Sequence, residues 1–150
     1  MTQESQYNPA GEWWTAPAEG DSGRLIMVTG RRDIARFRSN PKFSTRVEVT
    51  WPYEGDKSGM PLPDTSELMQ QATELLQKCF DKDPVAVMTG IYTGDGERNW
   101  IFYTLSLPIF GRKLNEALAP LPLLPIRIAA ENDPGWEEYD EMSQAEIKLD

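Results

Sequence analysis

A chain of 150 residues is the size of one ordinary domain and long enough to bury a real core. It contains no histidine, which excludes His-based acid–base catalysis, the Ser-His-Asp and Cys-His arrangements and the commonest transition-metal ligand. Its formal net charge of −9 argues against general binding to nucleic-acid backbones, and its one cysteine, Cys79, excludes an internal disulfide.

The charge is unevenly spread. Seven basic residues and one acid, Asp33, fall between Arg24 and Arg46, whereas eight acids and one base, Lys148, fall between Glu131 and Asp150. The basic run Arg31, Arg32, Arg36 and Arg38 reads first as a solvated face and second as a patch for an acidic partner. No apolar run reaches transmembrane length, and residues 1–10 lack a basic segment leading into an apolar one. A cytoplasmic protein without a membrane partner is expected.

Residues 1–10 are polar and expected to be disordered. Residues 12–16, with Trp13 and Trp14, and residues 24–29 suit two strands joined by turn chemistry, an N-terminal hairpin. A helical turn over residues 33–38 ends at Asn40-Pro41. Residues 43–51 alternate, with Phe43, Thr45, Val47, Val49 and Trp51 on one side of a strand and Ser44, Arg46, Glu48 and Thr50 on the other. A helix over residues 65–80 follows, with Asp64 as N-cap and Glu67 as its capping-box partner; Leu68, Ala72, Leu75, Leu76, Cys79 and Phe80 form its apolar stripe. Cys79 on that stripe is expected to be a buried structural thiol.

Residues 85–92 and 98–105 read as two strands around an Asp95-Gly96 turn. Ser106 suits the cap of a second helix over residues 109–118, with Pro108 in its first turn. Residues 126–130 form a last strand, and the acids beyond it read as a solvated end rather than a calcium loop. Trp136 and Tyr139 are three apart, spaced to pack back on the core as one helical turn.

From residue 43 onward the order is strand, helix, strand, strand, helix, strand. This is the ferredoxin-like βαββαβ plan, an α+β fold with both helices on one face of an antiparallel sheet. The expected organisation is a single domain over residues 11–142, with the hairpin added to it and an acidic flexible tail over residues 143–150.

Trp51 and Tyr53, the Gly59-Met60-Pro61 step, the Thr93-to-Arg98 turn, the Trp100-to-Tyr103 strand and the closing Asp133-Pro134-Gly135-Trp136-Glu137-Glu138-Tyr139 together resemble the bacterial domain-of-unknown-function family 695. That family is distantly similar to the ferredoxin-like regulator of ribonuclease E activity B, which implies a binding role by fold-level analogy. The resemblance supplies no catalytic residues.

The expected function is therefore binding and not catalysis, with no cofactor and no metal. The first partner is a protein, which includes a second copy of the chain paired along a sheet edge. On this reading Ile101, Tyr103 and Leu105 meet the helices. Trp100 and Phe102 then lie on the open sheet face, with Arg98, Arg46 and Arg127 completing a binding surface or with the hairpin covering it. The alternative is a small-molecule-binding domain or a histidine-free enzyme using Tyr92, Tyr103, Arg98 and Arg127 in a cleft. Single-stranded nucleic acid stacked on the aromatic face is the third option, which the net charge opposes.

Overall fold

The computed structural model describes residues 12–147. Its strands in chain order are β1 (Trp13–Glu19), β2 (Leu25–Arg31), β3 (Thr45–Pro52), β4 (Ala86–Gly94), β5 (Glu97–Thr104) and β6 (Arg127–Asn132). They form one six-stranded sheet in the spatial order β1-β2-β4-β5-β3-β6, with every neighbouring pair antiparallel. The helices among the described residues are α1 (Ala35–Arg38), α2 (Pro63–Lys82), α3 (Leu107–Leu118) and α4 (Glu137–Ile147). The fold is thus mixed α and β, and the N-terminal hairpin β1–β2 extends the sheet by pairing with β4.

Local chemistry accounts for most boundaries. Asp95 and Gly96 adopt φ of 54° and 85°, the two positive values that a tight two-residue hairpin needs between Gly94 and Glu97. Ser106 caps α3 by accepting from the backbone N–H of Ile109 at 3.3 Å. The expected Asp64 cap does not form: α2 starts at Pro63, Leu62 holds the N-cap position, and no side chain caps it. Proline has its φ preset for a first helical position and no N–H to leave unsatisfied there, so the helix begins before Asp64.

The sheet is covered on both faces. On one face α2 and α3 pack Met69, Leu76, Phe80, Phe110 and Leu114 against Val47, Val49, Trp51, Met88, Trp100 and Phe102. On the other, Val28, Val87, Ile101 and Tyr103 lie under Trp136, Tyr139 and Met142, with Ile34, Phe37 and Phe43 completing the cover. The irregularity between Met88 and Gly90 shifts the alternation of β4 by one, so that Ala86, Met88 and Ile91 all face the α2–α3 core while Val87 and Gly90 face α4. Gly90 lets Met142 of α4 approach the sheet, because a Cβ there would stand 2.3 Å from the Met142 sulfur and displace that side chain.

This arrangement overturns the expected facing of β5. Trp100 and Phe102 are packed between the sheet and α2–α3, at 1% and 0% exposure, and form no open surface. Phe102 meets Phe80 and Phe110 at ring-centroid distances of 5.3 and 4.9 Å, and the Trp100 indole donates to Thr73 Oγ1 at 2.9 Å. Ile101 and Tyr103 take the opposite face under α4, and Leu105, beyond the strand end, is 41% exposed. The cover over Ile101 and Tyr103 is α4 rather than the hairpin. The segment read as a tail from residue 143 continues that helix to Ile147. The expected disorder of residues 1–10 and the last three residues of the tail lie outside the described residues.

Candidate functional site

The closing Asp-Pro-Gly-Trp-Glu-Glu-Tyr segment is a structural lock. Asp133 accepts from the backbone N–H groups of Glu137 and Glu138 at 3.0 and 3.2 Å, capping α4, and from the Tyr103 hydroxyl at 2.7 Å. Trp136 stacks on Tyr103 with centroids 4.0 Å apart and donates to the Phe43 carbonyl at 2.8 Å. Tyr139 donates to the Arg31 carbonyl, and Arg38 grips Asp140 through two bonds of 2.7 Å. Of the candidate cleft residues, Tyr92 and Tyr103 are consumed here. Tyr92 donates to the half-buried Glu138 carboxylate, and burial pushes both hydroxyls far above the ordinary tyrosine range.

The candidate arginines do not converge. Arg46 and Arg127 lie on the face away from α2 and α3: Arg46 pairs with Glu131 at 3.0 Å, and Arg127 reaches Glu97 only at 3.8 Å. Arg98 lies on the opposite face, level with Trp51 and Thr93. The basic run is dispersed as well, since Arg31 is buried beside Asp33 while Arg38 turns to α4. Cys79 is half-buried, its thiol directed at the Lys113 carbonyl at 3.8 Å, and burial raises its pKa.

Arg98 borders a cleft of about 540 Å³. The hairpin extends the sheet past α2, so a trough opens between the helix flank and the strands beyond it. Met27, Thr29, Ile91 and Thr93 contribute from the sheet, and Trp13 and Met60 also border it. The α2 wall carries Ser66, Gln70, Thr73 and Gln77, which recur at helical spacing and so share one stripe. Glu74 also lines this wall, where it accepts from Gln70 at 3.1 Å.

The electrostatics of the cleft centre on Arg98. Its Nε donates to Thr93 Oγ1 at 2.9 Å and Nη1 to Thr73 Oγ1 at 3.4 Å. Thr73 is held in turn by donating to the Met69 carbonyl at 2.8 Å. Guanidinium has five N–H donors, and two neutral hydroxyls leave most of that capacity unused. No carboxylate among the described residues pairs with Arg98; burial, only partly opposed by the nearby Tyr53 hydroxyl, lowers its pKa. At neutral pH the group remains charged, so a half-buried cation borders a polar cleft in which the one carboxylate, Glu74, is not paired with it. The Trp13 indole N–H is buried and has no acceptor. Among these residues only Arg98 was singled out from sequence. Thr73 and the glutamines were missed, although a polar stripe beside the apolar one on α2 was their signal.

These features define an α+β protein whose sheet is covered on both faces at its centre and whose polar cleft opens between a long helix and an added hairpin. The chain belongs to DUF695, a family of unknown function, whose model matches residues 14–142. No curated protein and no solved structure matches the chain.

Proposed function

We propose that this chain is a non-catalytic binding domain whose cleft beside α2 takes a small molecule bearing a carboxylate or phosphate group, held by Arg98. The observation that carries this reading is the half-buried Arg98 guanidinium, fixed by Thr93 and Thr73 and lacking any carboxylate partner among the described residues. Planar, forked N–H groups suit bidentate recognition of such anions. Ser66, Gln70 and Gln77 supply neutral groups for the rest of the ligand, and Trp13 supplies an aromatic surface.

The scaffold reading is a ferredoxin-like unit formed by β3, α2, β4, β5, α3 and β6, to which the β1–β2 hairpin is added. The strand order β6-β3-β5-β4 within the sheet supports it. The hairpin then has a functional role, because its extension of the sheet creates the trough.

Thermal melts in inorganic phosphate and in succinate, matched in ionic strength with sodium chloride, test the proposal. A saturable rise in Tm with either anion is expected for the wild type and not for Arg98→Met. Saturation to about 100 Kd adds about 2.7 kcal/mol to stability. Equal shifts in both proteins, or none in the wild type, would overturn the assignment of Arg98.

A further inference from the structure

β6 closes one end of the sheet, and its outer backbone edge is unpaired among the described residues. The opposite edge strand, β1, carries Pro17, which removes a backbone donor. β6 has no proline and no glycine, and all its residues are exposed. Ile128 is 45% exposed, and Leu123 in the preceding connection is 100% exposed. Leu118, Leu121, Leu124 and Ile126 join them in an apolar groove of about 480 Å³ beside the strand. An edge of this composition is a template for another strand.

The sequence of β6 selects its partner. Arg127-Ile128-Ala129-Ala130-Glu131 is self-complementary about Ala129. When two copies pair antiparallel about a two-fold axis at Ala129, Arg127 stands opposite Glu131 of the second copy and Ile128 opposite its Ala130, and each match occurs twice. A shift of one residue in either direction sets Arg127 opposite Asn132 or Ala130 and leaves both charges unmatched. The Arg127 and Glu131 side chains are 68% and 63% exposed, on the face away from α2 and α3. Glu131 keeps its bond to Arg46 while gaining a second cation. Ile128 and Ala130 share the face of Val49 and Val47, so the same register brings the two apolar grooves together on the helix side.

We propose that two copies of this chain associate by antiparallel β6–β6 pairing centred on Ala129, forming one continuous sheet with two salt bridges across the axis. The proposal is independent of the Arg98 cleft, which lies toward the other end of the sheet.

Sedimentation of Arg127→Glu and Glu131→Arg, separately and mixed, tests it. The wild type is expected to dimerise reversibly. Each variant alone places like charges opposite each other twice and should dimerise at least about tenfold more weakly. An equimolar mixture of the two should recover the dimer. The acid introduced in the first variant then faces the base introduced in the second, while the unchanged Glu131 of the first faces the unchanged Arg127 of the second. Amide hydrogen exchange on the wild type gives a check that needs no variant: residues 127–131 should become protected as concentration rises. A wild type that stays monomeric to about millimolar concentration, or a dimer with residues 127–131 unprotected, would overturn the proposal. Folded variants that dimerise unchanged, or folded variants whose mixture stays monomeric, would do the same.

Discussion

The Tyr103 and Trp136 rings lie 4.0 Å apart between centroids and 11° from parallel, joining the central strand β5 to the residue just before α4. The same indole bonds to the Phe43 carbonyl at 2.8 Å, so one side chain ties three distant segments together. Trp136→Ala should therefore cost about 3–5 kcal/mol, through a cavity and an unpaired carbonyl. Trp136→Phe, which keeps an aromatic ring and loses the donor, should cost less. Urea unfolding of both variants ranks the two contributions.

Arg98 sets stability against binding. Replacing a half-buried cation that has no carboxylate partner with an apolar side chain of similar length removes a desolvation cost that two hydroxyl bonds and the Trp100 ring, 6.0 Å away, return only in part. Arg98→Met should raise stability by about 1 kcal/mol while losing the response to phosphate or succinate. Chemical denaturation in anion-free buffer measures the first effect, and a destabilised variant would show that the Thr73 and Thr93 bonds outweigh the desolvation.

The pKa values of Glu138 and Asp133 are shifted in opposite directions. Burial holds the Glu138 carboxyl above the usual range despite the Tyr92 bond and Arg46, and its Oε1 has no partner. The folded state thus binds this proton more tightly than the unfolded chain. The penalty is absent below the ordinary glutamate value of about 4.3, grows as pH rises toward the raised value, and is complete above it. Glu138→Gln keeps an acceptor for Tyr92 and should stabilise the protein at about pH 8, with the gain fading toward about pH 4. For Asp133, burial is outweighed by the Tyr103 bond and the α4 N–H groups, so its pKa is lowered. Its contribution is present above the ordinary aspartate value and lost as pH falls through the lowered one. Denaturation midpoints across this range for wild type, Glu138→Gln and Asp133→Asn separate the two slopes.

Gly96 has room for a side chain: a Cβ there would approach the Tyr53 carbonyl no closer than 3.8 Å. Its φ of 85° is the obstacle. Gly96→Val should lower stability by about 1 kcal/mol or more through backbone strain. A melting temperature equal to the wild type would mean that the turn had found another geometry.

Cys79 should react slowly with a thiol reagent in the native protein, because it is half-buried and its thiolate is disfavoured. Cys79→Ala should cost about 1 kcal/mol, as a small truncation at the edge of a core. Labelling as fast as in the unfolded protein would contradict this.

The elements were largely legible because their chemistry is local. Val47, Val49 and Trp51 alternate, Asp95-Gly96 dictates a hairpin, and Ser106 announces a helix; each of these is present. The orientation of β5 was not legible. Trp100, Ile101, Phe102 and Tyr103 are apolar on both sides, so a period of two has no polar phase to say which side meets which helix. Trp136 and Tyr139 do pack back on the core as their spacing announced, but Trp136, at φ 55°, precedes the helix and only Tyr139 lies within it. The extent of α4 was hidden by acids that outnumber the apolar positions. Of the site, Arg98 could be singled out as a cation in a strand. Its lack of a counter-charge depends on how far the hairpin carries the sheet past α2, which is a tertiary relationship that residue spacing does not encode.

The two covers of the sheet are made at different times during synthesis. α2 and α3 are available to seal their face once β6 has emerged, but the face bearing Val87, Ile101 and Tyr103 waits for Trp136, Tyr139 and Met142. A polypeptide cut short before α4 therefore presents a broad aliphatic and aromatic strand surface to its surroundings. Chaperones and proteases act on such surfaces, so translation products lacking the last helix carry their own mark for capture or destruction.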